Sequence, residues 1–103
     1  MVTPLDIKNE IRKIVTESDF EIVYDLYNKI IFSSKIIVCT IDIYSRYKLI
    51  DESECMIEVR ITDNILYKNS LISKKEYYIS DKEDLNKQIK VILLEIFLNG
   101  EGL

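Results

Sequence analysis

Two stretches of this chain alternate with a period of two, and together they dictate a sheet with one apolar face. Ile37, Cys39, Ile41 and Ile43 alternate with Thr40, Asp42, Tyr44 and Arg46, and Cys55, Ile57, Val59 and Ile61 alternate with Met56, Glu58, Arg60 and Thr62. Successive side chains of a strand point to opposite sides, so each stretch offers one face to a core and one to solvent. The apolar face must be covered, and a chain of 103 residues can build one modest core and no second one. Residues 1–103 therefore read as a single domain, with 99–103 as a frayed tail.

Cover is available at both ends. Thr3 followed by Pro4 is cap chemistry with proline at the first helical position, where its missing N–H costs nothing. From there Ile7, Ile11, Ile14 and Val15 fall at helical spacing, while Lys8, Glu10, Arg12, Lys13 and Glu17 take the other side, so a helix should run to about Thr16. A second cap-like pattern, Ser80-Asp81-Lys82-Glu83, predicts a closing helix whose stripe is Leu85, Ile89, Ile92, Leu93 and Ile96, widened by Val91, Leu94, Phe97 and Leu98. Asn99-Gly100 supplies its stop.

Between these the local signals conflict. Ser18-Asp19-Phe20-Glu21 is a capping-box pattern that predicts a helix from Ser18 to about Phe32, yet Phe20, Ile22, Val23, Tyr24, Tyr27, Ile30, Ile31 and Phe32 are of types that pack well in strands. A strand from Phe20 to Leu26 is the alternative, and it enlarges the sheet. Asp51-Glu52-Ser53-Glu54 reads as a charged connection between strands. Asp63-Asn64 reads as a two-residue hairpin turn, and Ile65 to about Ile72 as a third strand. Glu76-Tyr77-Tyr78-Ile79 either extends that strand past an irregularity or forms a fourth. The expected fold is α+β: an antiparallel three- to four-stranded meander covered on one face by helices, in the order ααβββ(β)α.

Composition removes most catalytic chemistry. The chain has no histidine, which excludes imidazole-based triads and standard zinc sites, and its two glycines, Gly100 and Gly102, lie where no phosphate loop can form. Cys39 and Cys55 sit in apolar, strand-like contexts without metal-ligand spacing and read as reduced core thiols. Asp51, Glu52, Glu54 and Glu58 form the densest carboxylate group; such groups can do acid–base work or hold a hard cation, but they also make an ordinary solvated loop. Tyr77-Tyr78 beside Lys74 and Lys75 admits a tyrosine–lysine acid–base pair or a plain charged strand. The reading is a non-enzyme with no cofactor and no metal ion.

Binding surfaces are what remain. The polar sheet face carries Tyr44, Arg46, Met56 and Arg60, with Tyr67 and Lys68 as further members, a mixture that suits protein contact or base stacking. A net charge of −4 disfavours nonspecific attachment to nucleic acid or an anionic membrane. The amino-terminal sequence has neither a basic region nor an apolar signal core, so the expected location is the cytoplasm.

The segment Leu5-Asp6-Ile7-Lys8-Asn9-Glu10-Ile11, a short leading helix before a meander and a closing helix, resembles small phage-encoded anti-CRISPR proteins in the order of its elements. The resemblance implies a small, acidic, cytosolic, non-enzymatic protein, several relatives of that kind blocking a nuclease complex at its nucleic-acid-binding surface. The expected function is thus a protein-binding inhibitor of viral or mobile-element origin, directed at a basic nucleic-acid-binding host complex. Its expected contact patch is Asp51, Glu52, Glu54 and Glu58 with Tyr44 and Arg60 beside it. Single-stranded nucleic-acid binding through the tyrosine and arginine face is the alternative reading. Self-assembly, as a homodimer or a structural protein, through a strand edge or the last helix's apolar stripe is another.

Overall fold

The computed structural model of the chain describes residues 2–47, 53–64, 70–80 and 82–100. Helix α1 (Pro4–Thr16) leads into strands β1 (Glu21–Leu26), β2 (Lys29–Ser33), β3 (Ile37–Tyr47), β4 (Ser53–Asp63) and β5 (Leu71–Ile79), and helix α2 (Leu85–Gly100) closes the chain. The strands form one antiparallel sheet in sequence order, β1-β2-β3-β4-β5. The α+β architecture is the expected one, a meander with helices on one face. The sheet has five strands instead of three or four.

The additional strands come from residues 18–32, where the helix expectation fails. Ser18 does not cap a new helix: its hydroxyl donates to the Val15 carbonyl at 2.6 Å and accepts the Phe20 N–H at 3.1 Å, closing the end of α1. With no helix started, the β-branched and aromatic run from Ile22 to Phe32 pairs as a hairpin, Leu26 opposite Lys29 across the two-residue loop Tyr27-Asn28. Tyr27 takes the positive φ, 53°, that a glycine would usually take in such a loop.

Two other boundaries move. Asp63 is the last residue of β4, and its N–H donates to the Ser70 carbonyl at 2.9 Å, so the connection to β5 is longer than the expected two-residue turn at Asp63-Asn64. The strand expected over residues 65–72 lies largely outside the described residues, and β5 runs unbroken from Leu71 through Lys74 and Lys75 to Ile79, with a bulge facing Ile61 and Thr62. Glu76–Ile79 is therefore no separate strand. The closing helix starts at Leu85, because Asp84 adopts a φ of 55° and breaks the run that Ser80-Asp81-Lys82-Glu83 was expected to open. The leading helix matches its prediction, and Thr3 and Asp6 form a reciprocal capping box there.

The inner face is built in rows across the strands. Ile30, Ile41 and Val59 stand in one row, Phe32, Cys39 and Ile61 in the next, and Ile43 and Ile57 in a third. Ile7, Ile11 and Val15 of α1 and Ile89, Leu93 and Ile96 of α2 close over them. Phe20 caps one end, its ring edge-on to Phe32 at 5.5 Å and tilted against Phe97 at 5.3 Å. Asn86 donates to Glu10 at 2.8 Å and joins the helices.

One ionic group fixes α1 to the β1–β2 hairpin. Lys8, expected on the wet side of its helix, is only 3% exposed. Its ammonium lies 2.6 Å from Asp25 Oδ1 and donates to the Tyr27 carbonyl at 2.8 Å. One turn later Arg12 clamps the same carboxylate, Nη2 to Oδ1 at 2.8 Å with Nε on the other oxygen. Bonds first from Arg12 and then from Lys8 hold the Asp25 carboxyl down to about 2, against a burial that opposes them.

A carboxyl held below its ordinary value contributes stability above that value and loses it as pH falls through the folded one. The Asp25 contribution, roughly 1–2 kcal/mol after solvent screening, should be complete above about pH 5 and decay toward pH 2. Asp25→Asn should cost about 2–3 kcal/mol in urea unfolding at pH 7, because Lys8 is left buried without its counter-charge, and should flatten this acid limb. Lys8→Met should cost less, since Arg12 still satisfies the carboxylate. Equal costs for the two variants would contradict this account. Tyr27→Gly should raise stability by about 0.5–1 kcal/mol, as it relieves a left-handed backbone at a side chain that is 90% exposed; thermal melting reads the gain.

Candidate functional site on the open sheet face

The helices cover one face of the sheet; among the described residues no element is packed on the other. Because register is exact along β3 and β4, the outward residues also stand in rows. Lys29, Asp42, Glu58 and Glu76 form the central row across β2 to β5, with Leu26 at its β1 end. Tyr24, Ile31, Thr40, Arg60 and Lys74 form the row on one side, and Tyr44, Met56 and Tyr78 the row on the other.

Three carboxylates directly opposite one another repel, and basic groups beside them compensate. Lys29 Nζ lies 3.6 Å from Asp42 Oδ1. Arg60 Nη2 lies 3.4 Å from Asp42 Oδ2 and Arg60 Nε 3.4 Å from Glu58 Oε1. The second contact is an ion pair without hydrogen-bond geometry, which leaves the buried Nε–H without an acceptor. Glu76 accepts the Tyr78 hydroxyl at 3.3 Å. A recess of about 260 Å³ opens at the β1–β2 end, with Tyr24, Leu26 and Tyr44 around the Lys29–Asp42 pair.

The expected patch is only partly assembled. Tyr44, Glu58 and Arg60 share the open face as anticipated, Tyr44 being 44% exposed. Glu54 does not belong to an exposed loop: β4 begins at Ser53, and Glu54 is 9% exposed opposite Arg46. Asp51 and Glu52 lie outside the described residues, as do Tyr67 and Lys68. The acidic group that the fold does bring together, Asp42, Glu58 and Glu76, comes from three strands and is invisible as a cluster in the sequence. Tyr24, Leu26 and Lys29 are not among the expected site residues: a helix over 18–32 hides them, the alternative strand from Phe20 to Leu26 reaches only the first two and matches β1, and the alternation of Ile30 and Phe32 with Lys29, Ile31 and Ser33 is the signal for β2.

Cys39, Cys55 and Lys75 take structural roles. Cys39 faces Ile61, six positions along β4 from Cys55 (61 − 55), or roughly 20 Å at strand rise, so the two thiols cannot bridge. Burial raises both thiols, strongly at Cys39 and with help from the Asp6 charge at Cys55, which is the reverse of nucleophile activation. Lys75 turns to the helix side and bonds both oxygens of Glu95 at 2.7 and 2.8 Å; that bond, chiefly, raises its pKa, whereas a catalytic lysine needs the opposite. Among the described residues no group of His, Cys, Asp or Glu has the geometry to hold a metal ion, and no helix is long and apolar enough to cross a membrane.

Arg60→Gln should destabilise the protein by about 1–2 kcal/mol at low ionic strength, because Asp42, Glu58 and Glu76 then face one another with less compensation. The cost should shrink in ~0.5 M salt, where the screening length is about 4 Å. A cost independent of salt would assign Arg60 a packing role instead.

Comparison of the chain with family models, with curated proteins and with solved structures gave no match.

Proposed function

We propose that the chain is a non-enzymatic protein-binding module whose contact surface is the open face of its sheet. The observation that carries this reading is a face of five strands, uncovered among the described residues, on which Tyr24, Tyr44 and Tyr78 stand exposed above charges that neutralise one another. Tyrosine supplies large, rigid contact area with a polar tip, and internally paired charges leave a partner little to desolvate unpaired.

Charge favours protein over nucleic acid. The central and flanking rows hold Asp42, Glu58 and Glu76 against Lys29, Arg60 and Lys74, so they balance, and two of the three cations are engaged by carboxylates. Binding to a phosphate backbone needs cations in excess. Acting as a viral or mobile-element inhibitor is the form of this reading suggested by the element-order resemblance to anti-CRISPR proteins. In that case the open face would meet a basic, nucleic-acid-binding host complex in the cytoplasm, with its exposed tyrosines carrying the contact.

The test is affinity capture from cells of the source organism, with wild type against Tyr24→Ala/Tyr44→Ala, two tyrosines that line one recess away from β5. A protein retained by wild type and lost at least tenfold by the double variant, with unchanged melting, is the expected result. Capture that ignores the open face removes the proposal, and so does salt-dependent binding of single-stranded RNA or DNA with no protein retained.

A further inference from the structure

Strand β5 is the last strand of the sheet, and among the described residues nothing pairs with its outer edge. Nine residues of open edge are long for a protein that remains alone, since edges of this kind are usually short, bulged away or broken by proline. The bulge here lies at the Leu71 end only, and from Ser73 to Ile79 the strand is regular. Beside it runs a cleft of about 530 Å³ between β5 and α2, lined by Tyr77, Tyr78, Gln88, Val91 and Ile92. Val91 is 68% exposed there, and Leu94 and Leu98 continue an exposed apolar stripe at helical spacing along α2.

We infer that β5 is the seam of a two-fold dimer, its occupant a second copy of the same strand running antiparallel. A two-fold axis perpendicular to the sheet keeps faces matched, so opposite residues have positions of equal parity. The strand from Leu71 to Ile79 has Lys75 at its centre. An axis at Lys75 places Lys74 opposite Glu76 of the other copy, twice. Ser73 then lies across from Tyr77, and Ile72 across from Tyr78. Shifting the axis by one residue sets Glu76 against Glu76 or Lys74 against Lys74. Charge complementarity on the open face thus selects this register, and like charges set directly opposite disfavour its neighbours.

On the helix side, Lys75 meets Lys75 at the axis, and each already carries its Glu95 partner, which offsets the repulsion between the two lysines. Both α2 helices lie on that side of the joined sheet, with Val91 and the cleft turned toward the seam. The result is a continuous ten-stranded sheet, closed at two copies by its symmetry. Its open face is doubled without being covered, so the dimer leaves Tyr24 and Tyr44, around the recess at the β1–β2 end of the sheet, free for the proposed partner contact, and only Tyr78 lies near both.

Sedimentation equilibrium on the full chain tests the inference. Wild type should dimerise, and Lys74→Glu and Glu76→Lys should each weaken association about tenfold, since each turns two attractive cross-strand pairs into repulsive ones. The exchanged double variant, Lys74→Glu with Glu76→Lys, should return to within about threefold of wild type, because it restores both pairs in this register and in no adjacent one. Melting temperatures of all variants report whether the subunit itself is intact. A wild type that stays monomeric at ~0.5 mM, growth beyond two copies, or a double variant weaker than either single one overturns the dimer. None of these outcomes bears on capture through Tyr24 and Tyr44, which lie away from β5 and are scored separately.

Discussion

Two helices cannot cover both faces of five strands, and from that shortage most of the molecule's character follows. The inner face takes every fully apolar row, and its strands contribute Ile30, Ile41, Ile43 and Ile57 to a core that both helices close. Polar and aromatic residues fall on the other face by parity alone, because a strand that buries Ile41 must expose Asp42. A one-residue slip of any strand would bring a charge into the core and an isoleucine into water, so the same alternation that fixes the core fixes the composition of the open face. Rows such as Lys29-Asp42-Glu58-Glu76 are the surface image of the register that packs Ile30 against Ile41 and Val59.

The sheet's first hairpin needs more than pairing to hold it. β1 is an edge strand of six residues with most side chains exposed, and its loop stores a left-handed tyrosine. Asp25 is turned toward the helix, and the two cations it meets sit at the i, i+4 positions Lys8 and Arg12 of α1. Lys8 also takes the carbonyl of Tyr27, so a single ammonium fastens both the strand and its strained turn. Burying an ammonium is costly unless its donors are used, and here two of them are, which is why this lysine is stable where a simple helical wheel would place a solvent-facing one.

How far the fold could be read from sequence depended on whether a signal was local. Alternation over residues 37–43 and 55–61 has one interpretation, and both strands fold as read; so does α1, whose Thr3-Pro4 start is specified by adjacent residues. Ser18-Asp19-Phe20-Glu21 satisfies a capping rule just as well, yet Ser18 spends its hydroxyl on the end of α1, and no local rule states which of two helices a serine will serve. The burial of Lys8 has a related cause: its partner, Asp25, is reachable only once residues 21–33 form a hairpin, so no signal within α1 itself announces it. Glu54 failed differently. It belongs to a polar run that reads as a loop, but the β3 partner strand extends to Tyr47 and draws Ser53 and Glu54 into the ladder.

The surface that emerges is less electrostatic than its acidic composition implies. Asp42 is bracketed by Lys29 and Arg60, Glu58 shares Arg60, Glu95 holds Lys75, and Asp25 holds two cations, so much of the negative charge on the described residues is spent inside the fold. Charge that is already paired steers a partner weakly and is expensive to displace. Specific affinity on the open face must then come from shape and from the exposed tyrosines, with the ion pairs acting as a fixed floor. At the β5 edge Lys74 and Glu76 stand at the rim of this lattice, where a second copy of the strand can pair with them. The two surfaces therefore differ in the physics they offer, one aromatic over a neutralised lattice, the other a backbone edge whose charges select a single register.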